Sequence, residues 1–207
     1  MPAKITFKEK PMTLVGRSLK EGLKAPDFKA VSSDAKEVTL SDFKGKIKVI
    51  TSFLSLDTPV CDLQVKEFNK RATAFSSEVA VIGISKDLPF AQRRFCENFN
   101  IKNVTLLSDY RFSSFGINYG LLIKELNLLA RAVLILDKND VLRYLQIVSE
   151  ATSPPDYNAA LSRLDEIIKN PSAPSTEETP SQCKPCEGGV APLPRETVEK
   201  LLAKYRG

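Results

Sequence analysis

The chain contains no histidine. That absence removes the usual imidazole general base, every Ser-His or Cys-His nucleophile pair, and every His-containing metal site. Any catalysis must rest on a thiol, carboxylates, Lys, Arg, Tyr or backbone groups. No apolar run approaches the length needed to cross a bilayer, and the longest, residues 79–84 and 132–136, have the length of buried strands. Residues 1–10 lack the apolar core and cleavage site of a secretory signal, so a cytoplasmic location and no membrane partner are expected. There is no block of basic residues, no aromatic platform among basic residues and no internal repeat. The net charge of +5 is spread over interspersed lysines and glutamates, which reads as a solvated surface and argues against nucleic-acid binding.

What remains is an ordinary globular composition, 43% hydrophobic and 27% charged. Its 207 residues suit one domain with a sizeable core and are short for two. Residues 5–7 and 12–15 read as short strands around a turn at Glu9-Lys10-Pro11, an N-terminal β-hairpin. Ala25-Pro26-Asp27-Phe28 is an extended or turn segment, because the residue before a proline avoids the helical region. Residues 38–40 and 41–45 suggest a strand end and one helical turn, and 48–53 a central strand. After Thr58-Pro59-Val60-Cys61, Leu63, Phe68 and Ala72 fit a helix that buries one face. Residues 79–84 form the next strand, and Leu88-Pro89-Phe90-Ala91 opens a second helix carrying Phe95, Cys96 and Phe99. Residues 104–107 make a short strand. Residues 132–136 and 142–147 form a hairpin around Asp137-Lys138-Asn139-Asp140. An amphipathic helix over 157–169, with Leu161, Leu164, Ile167 and Ile168 on one side, closes the domain. Strands alternating with helices, then a hairpin and a final helix, specify an α/β sandwich around a mixed sheet.

Composition shifts at Asn170. Residues 170–182, rich in Pro, Ser, Thr and Glu, read as a linker that cannot bury a core. Residues 183–207 form a short segment with one helix, Pro194 in its first turn and Val198, Leu201, Leu202 and Tyr205 along its apolar stripe.

The four cysteines are Cys61, Cys96, Cys183 and Cys186. In a reducing compartment they read as redox or metal chemistry before structural bridges. Cys61 lies where a buried strand hands over to a helix, and unpaired N–H groups and the positive end of the helix dipole favour a thiolate there. Thr58, three residues earlier, is close enough for its hydroxyl to contact the sulfur or a bound peroxide. A helix-capping role is its competing reading. From position alone, a buried cysteine packing as a small hydrophobe stands equally with a reactive one.

Family resemblance separates the two. Gly22-Leu23-Lys24-Ala25-Pro26-Asp27-Phe28, Ser55-Leu56-Asp57-Thr58-Pro59-Val60-Cys61, Asp87-Leu88-Pro89-Phe90-Ala91-Gln92, Arg94-Phe95-Cys96 and Ala130-Arg131-Ala132-Val133 occur in order along residues 1–169. Together they resemble the thiol peroxidase group of the peroxiredoxin superfamily, which implies a thioredoxin-like sandwich. The resemblance makes Cys61 the peroxidatic cysteine, Thr58 its hydroxyl partner, and Arg131 the guanidinium that favours the thiolate and aligns the peroxide. Arg131 otherwise stands as a charge inside an apolar run, where a simple ion pair is the bland reading. Cys96 is the resolving cysteine on the same grounds, with an inert core cysteine as its alternative. The implied cycle takes Cys61 to a sulfenic acid and then to a Cys61–Cys96 disulfide, restored by thioredoxin. Two cysteines on separate helices must move to meet, so local unwinding during turnover is expected. No cofactor and no metal are implied, and a homodimer is. One position departs from the family: Leu54 stands where a proline usually precedes the active-site threonine by four.

Cys183-Lys184-Pro185-Cys186 is readable as a relay dithiol, as half of a zinc site shared between chains, or as an appendage without chemistry. The last 25 or so residues resemble the start of pterin-4a-carbinolamine dehydratases but lack that family's histidine-bearing motif. Two other functions compete with the peroxidase. A thiol–disulfide oxidoreductase is disfavoured because the strand–helix junction lacks paired cysteines. A redox-sensing or binding protein would use the same disulfide without turnover.

Overall fold

A computed structural model describes residues 4–170. The linker beyond Asn170 and the Cys183–Cys186 segment expected from the sequence lie outside the described residues. In chain order the strands β1 (Ile5–Phe7), β2 (Lys10–Met12), β3 (Leu14–Val15), β4 (Lys29–Ser32), β5 (Glu37–Thr39) and β6 (Ile47–Ser52) lead into helix α1 (Pro59–Arg71). Then come β7 (Val79–Ser85), α2 (Pro89–Phe99), β8 (Thr105–Ser108), α3 (Ser114–Asn118), β9 (Leu122–Ile123), β10 (Leu128–Leu129), β11 (Ala132–Leu136), β12 (Leu142–Ile147) and α4 (Tyr157–Lys169).

A seven-stranded sheet with order β12-β11-β6-β7-β8-β4-β5 forms the middle layer. Only β6–β7 and β7–β8 pair in parallel, as expected where a helix crosses over between strands. The remaining pairs are antiparallel, so the sheet is mixed and the sandwich is the thioredoxin-like α/β one. Successive residues of the central strands point to opposite faces. Val49, Val81, Val133 and Ile135 share a core with Val65 and Phe68 of α1, Phe95 of α2 and Leu164 and Ile167 of α4. Ile50, Ile82, Ile84 and Leu134 face the other way, against Phe115 of α3 and Ile123 of a small β10-β9-β3 sheet. Both faces of β6 and β11 are buried; β11 accordingly reads as a continuous apolar run, whereas β6 also buries Lys48, Thr51 and Ser52.

Four sequence expectations need correction. The N-terminal hairpin turns at Lys8 and Glu9, both at positive φ (50° and 66°), and Lys10 and Pro11 lie in β2, with Pro11 opposite Thr6. A proline lacks only its N–H, so it is tolerated in a two-stranded ribbon, which has an unpaired side on each strand. Residues 12–15 do not form one strand: Met12 ends β2, and Leu14–Val15 pairs with β9 in a different sheet. Leu63, placed on the apolar face of α1, is 63% exposed, and the buried positions are Cys61, Gln64, Val65 and Phe68. Likewise Ile168, placed on the apolar side of α4, lies on its exposed side. The C-terminal hairpin and α4 fall where the sequence places them.

Candidate active site

Strand β6 ends at Ser52, the buried residues Phe53 and Leu54 follow, and the chain then turns through residues 55–58 into α1. Pro59 occupies the first helical position, where its missing N–H costs nothing. The Thr58 carbonyl accepts from the N–H groups of Cys61 (3.1 Å) and Asp62 (3.0 Å). Cys61 therefore sits in the first turn, at the positive end of the helix dipole, with no exposed surface.

Arg131 enters from the segment between β10 and β11 and is 2% exposed. Its Nη2 lies 3.4 Å from Cys61 Sγ. Nε and Nη2 both donate to the Ala151 carbonyl, at 3.1 and 2.9 Å, and Nη1 donates to Gln64 Oε1. Gln64, one turn after Cys61 on the same buried face, is anchored in turn through Nε2 to Thr51 Oγ1 and to the Ser52 carbonyl at 3.3 Å. Ser52 Oγ ties the end of β6 to the Ala130 carbonyl at 2.7 Å. The guanidinium is thus held by neutral acceptors, and among the described residues it makes no ion pair with a carboxylate. Of its hydrogen-bond partners among the described residues, the Ala151 carbonyl, the Gln64 amide oxygen and the Cys61 sulfur, the last alone belongs to a titratable side chain.

Thr58 Oγ1 donates to the Ser55 carbonyl at 3.0 Å and makes no side-chain cap, so the capping alternative is not realised by its hydroxyl. No hydrogen bond joins it to the sulfur. The preceding loop is pinned by Asp87, which accepts from Ser55 Oγ (2.7 Å), the Leu56 N–H (2.8 Å) and Ser85 Oγ (2.8 Å). Where the resemblance leads one to expect proline, Leu54 packs its apolar side chain into the same core as Cys61.

Cys96 lies on α2, half-buried, and both Cys61 and Cys96 are free thiols. Burial, and then the neighbouring Glu97 carboxylate, push the Cys96 thiol above its ordinary 9.0. A groove of about 380 Å³ separates the start of α1 from α2, lined among others by Thr58, Pro59 and Asp62 on one side and Arg94, Phe95 and Phe99 on the other. Lys66 of α1 bridges it, ion-paired to Asp62 at 2.6 Å with its ammonium 3.4 Å above the Phe99 ring. On the other flank of α1, Val60, Leu63, Glu67, Pro154 and Tyr157 line a mainly apolar cavity of about 360 Å³. Burial raises the Tyr157 phenol above its ordinary value, with Arg131 pulling in the opposite direction. No three Cys, Asp or Glu side chains converge as metal ligands among the described residues.

A thiol thus lies beside a buried guanidinium at a strand–helix junction, and comparison with known proteins shows the family of the chain that carries it. The Redoxin family model matches residues 20–161. The chain belongs to this family. Within it the chain falls in the thiol peroxidase group of the peroxiredoxins. It is 46% identical over 162 residues to the thiol peroxidase of Oceanobacillus iheyensis, covering 78% of this chain and 98% of the relative. It is 48% identical over 163 residues to that of Staphylococcus aureus strain MRSA252, covering 79% and 98%. Among solved structures, a peroxiredoxin-like protein from Aquifex aeolicus is 42% identical with a TM-score of 0.76, over 81% of this chain and 99% of that one.

Measured on this peroxiredoxin, the sequence-predicted residues divide clearly. Cys61 and Arg131 are in contact, Thr58 holds the loop beside them, and Cys96 lies on another helix, α2, without lining the groove between that helix and α1. The sequence reading missed Gln64, Ala151 and Asp87. Gln64 carried a visible signal, a polar residue three positions after Cys61 on the face that buries Val65 and Phe68. Asp87 entered only as part of a family motif. Ala151 acts through its carbonyl, which no side-chain pattern discloses.

Proposed function

We propose that this thiol-dependent peroxidase reduces hydrogen peroxide and organic hydroperoxides through Cys61, with Cys96 as its resolving partner. The observation that carries the reading is the buried Arg131 guanidinium 3.4 Å from Cys61 Sγ, with no carboxylate partner among the described residues. The Cys61 thiolate attacks the distal peroxide oxygen and the O–O bond breaks. The sulfur becomes a sulfenic acid, and the leaving alkoxide or hydroxide takes up a proton to depart as alcohol or water. Arg131 Nη2 stabilises the sulfur anion and the charge that moves onto the departing oxygen. Thr58 Oγ1 already donates to Ser55, so its lone pairs are available to accept from the peroxide O–H and align it. The apolar cavity beside Val60 and Tyr157 suits the organic part of a hydroperoxide.

Cys96 then attacks the Cys61 sulfenic acid, forming the S–S bond and releasing water. A disulfide requires Cα atoms about 4.4–6.8 Å apart, so α2 and the first turn of α1 unwind for this step. An external dithiol, thioredoxin in this reading, takes the bridge by exchange and returns both thiols. The peroxidase works as a homodimer in a reducing, cytoplasmic compartment. The Cys183–Cys186 pair is an appendage to this cycle, and truncation after Asn170 is expected to leave turnover unchanged. Peroxide consumption with thioredoxin, its reductase and NADPH distinguishes enzyme from sensor. Many equivalents consumed per Cys61 support the peroxidase, and a single equivalent supports the sensor.

A further inference from the structure

We propose that Glu150 is a positioning residue for Arg131, acting through the carbonyl of Ala151. The guanidinium donates three hydrogen bonds to neutral oxygens, and two of them end on one atom, the Ala151 oxygen, at 2.9 and 3.1 Å. That oxygen belongs to a surface turn after β12, outside any regular element, so something else must hold it still. The Glu150 carboxylate does so from both sides. It accepts from the Thr152 N–H (3.0 Å) and hydroxyl (2.6 Å) within its own turn. It also accepts from Thr6 Oγ1 (2.6 Å), the Lys8 N–H (3.1 Å) and the Glu9 N–H (3.2 Å) of the N-terminal hairpin.

Backbone bonds complete the clamp: Thr6 N–H donates to Ser149 O (2.7 Å), and Ala151 N–H to Thr6 O (2.8 Å). The peptide unit before the Ala151 carbonyl is thereby tied to β1, and the unit that carries the carbonyl is tied through its Thr152 N–H to Glu150. Lys8 and Glu9 adopt the left-handed region without being glycine, a conformation that persists where surrounding structure enforces it, and their N–H groups converge on this carboxylate. The hydroxyl donors, Thr152 first and then Thr6, hold the Glu150 carboxyl well below the usual carboxylate range. The turn therefore keeps its anionic clamp at neutral pH. The N-terminal hairpin, remote in sequence from either cysteine, is by this route part of the machinery that aims the guanidinium at the sulfur.

The inference rests on the role of Arg131 given above, and a double-mutant cycle tests the two separately. The second-order rate of Cys61 oxidation by hydrogen peroxide is measured in a Cys96→Ser background for Glu150→Gln, Arg131→Met and both together. Glu150→Gln alone is expected to slow oxidation about five- to tenfold, because a small misplacement of a catalytic donor is costly. In the Arg131→Met background the same change is expected to cost less than about twofold, since the group being positioned is gone. Glu125→Gln is the control. Its carboxylate also clamps the N-terminal segment, accepting from the Thr13 N–H at 3.0 and 3.1 Å, but it does not touch the 149–152 turn. It is expected to leave the rate unchanged. If Glu150→Gln folds poorly, Thr152→Val removes one donor to the carboxylate and is expected to show the same non-additivity at smaller amplitude. Equal losses in both Arg131 backgrounds, or an unchanged rate in Glu150→Gln, overturn the inference and leave the role of Arg131 standing. An Arg131→Met protein as fast as its parent overturns both.

Discussion

Replacing Arg131 by methionine keeps a long flexible stem in the core and removes one buried positive charge. Two unit charges 3.4 Å apart interact by about 5 kcal/mol at an effective dielectric of 20. The guanidinium charge is spread over three nitrogens that also serve Ala151 and Gln64, so roughly half of that, about 2–3 kcal/mol, is a fair measure of what Cys61 loses. At 1.36 kcal/mol per tenfold, the rate of Cys61 oxidation is expected to fall about 30- to 150-fold. Global stability should change far less, because deleting a buried charge also removes its desolvation cost. The chain has no tryptophan to report the reaction, so quenched flow with alkylation and intact-mass detection is the suitable assay. Arg131→Lys should recover part of the loss, since it restores charge without the fork that grips Ala151. A methionine variant that oxidises within twofold of wild type, while folded, would refute the electrostatic argument.

Gln64→Glu places a carboxylate on Arg131 and gives the guanidinium a competing anion. Peroxide oxidation should slow about tenfold or more while thermal stability holds or rises, measured by single-turnover kinetics and calorimetry. The Cys96 thiol, raised above 9.0 by burial and Glu97, binds its proton more tightly in folded α2 than when unwound. Its contribution to helix stability is complete below the ordinary value and is lost as pH climbs through the raised one. Bridge formation after a peroxide pulse should therefore accelerate as pH passes 9, and a flat profile from pH 7 to 10 would contradict this. Phe68→Ala empties a fully buried site on the underside of α1, where Phe68 meets Tyr157 edge-on at 5.6 Å. It should cost about 3–5 kcal/mol, a fall in Tm on the order of 10 °C by thermal denaturation.

Much of the central layer was legible because burial on both faces leaves a plain mark. The apolar runs at β7 and β11 read as strands sunk in a core, and the stripe at 157–169 reads as a helix. The errors share one cause, a local pattern overruled by a distant partner. Glu9-Lys10-Pro11 looks like a turn by composition, but Glu150 draws the turn back to Lys8 and Glu9. Leu63 fits the apolar stripe of α1 by spacing, yet Gln64 takes the inward place because Arg131 waits there. Cys61 and Arg131 were recognisable from family motifs, and the motifs name chemistry without naming its supports. The residues that hold the guanidinium, Gln64 and the Ala151 carbonyl, lie 67 and 20 positions from it and become neighbours only in the folded chain.

The most direct test is to add one equivalent of hydrogen peroxide to the reduced, full-length chain, block remaining thiols, and map the products by mass spectrometry. The expected result is a single peptide pair joined through Cys61 and Cys96, with Cys183 and Cys186 alkylated as free thiols. Cys61 recovered unoxidised, or a bridge that leaves out Cys61, would contradict the assignment of the reacting sulfur.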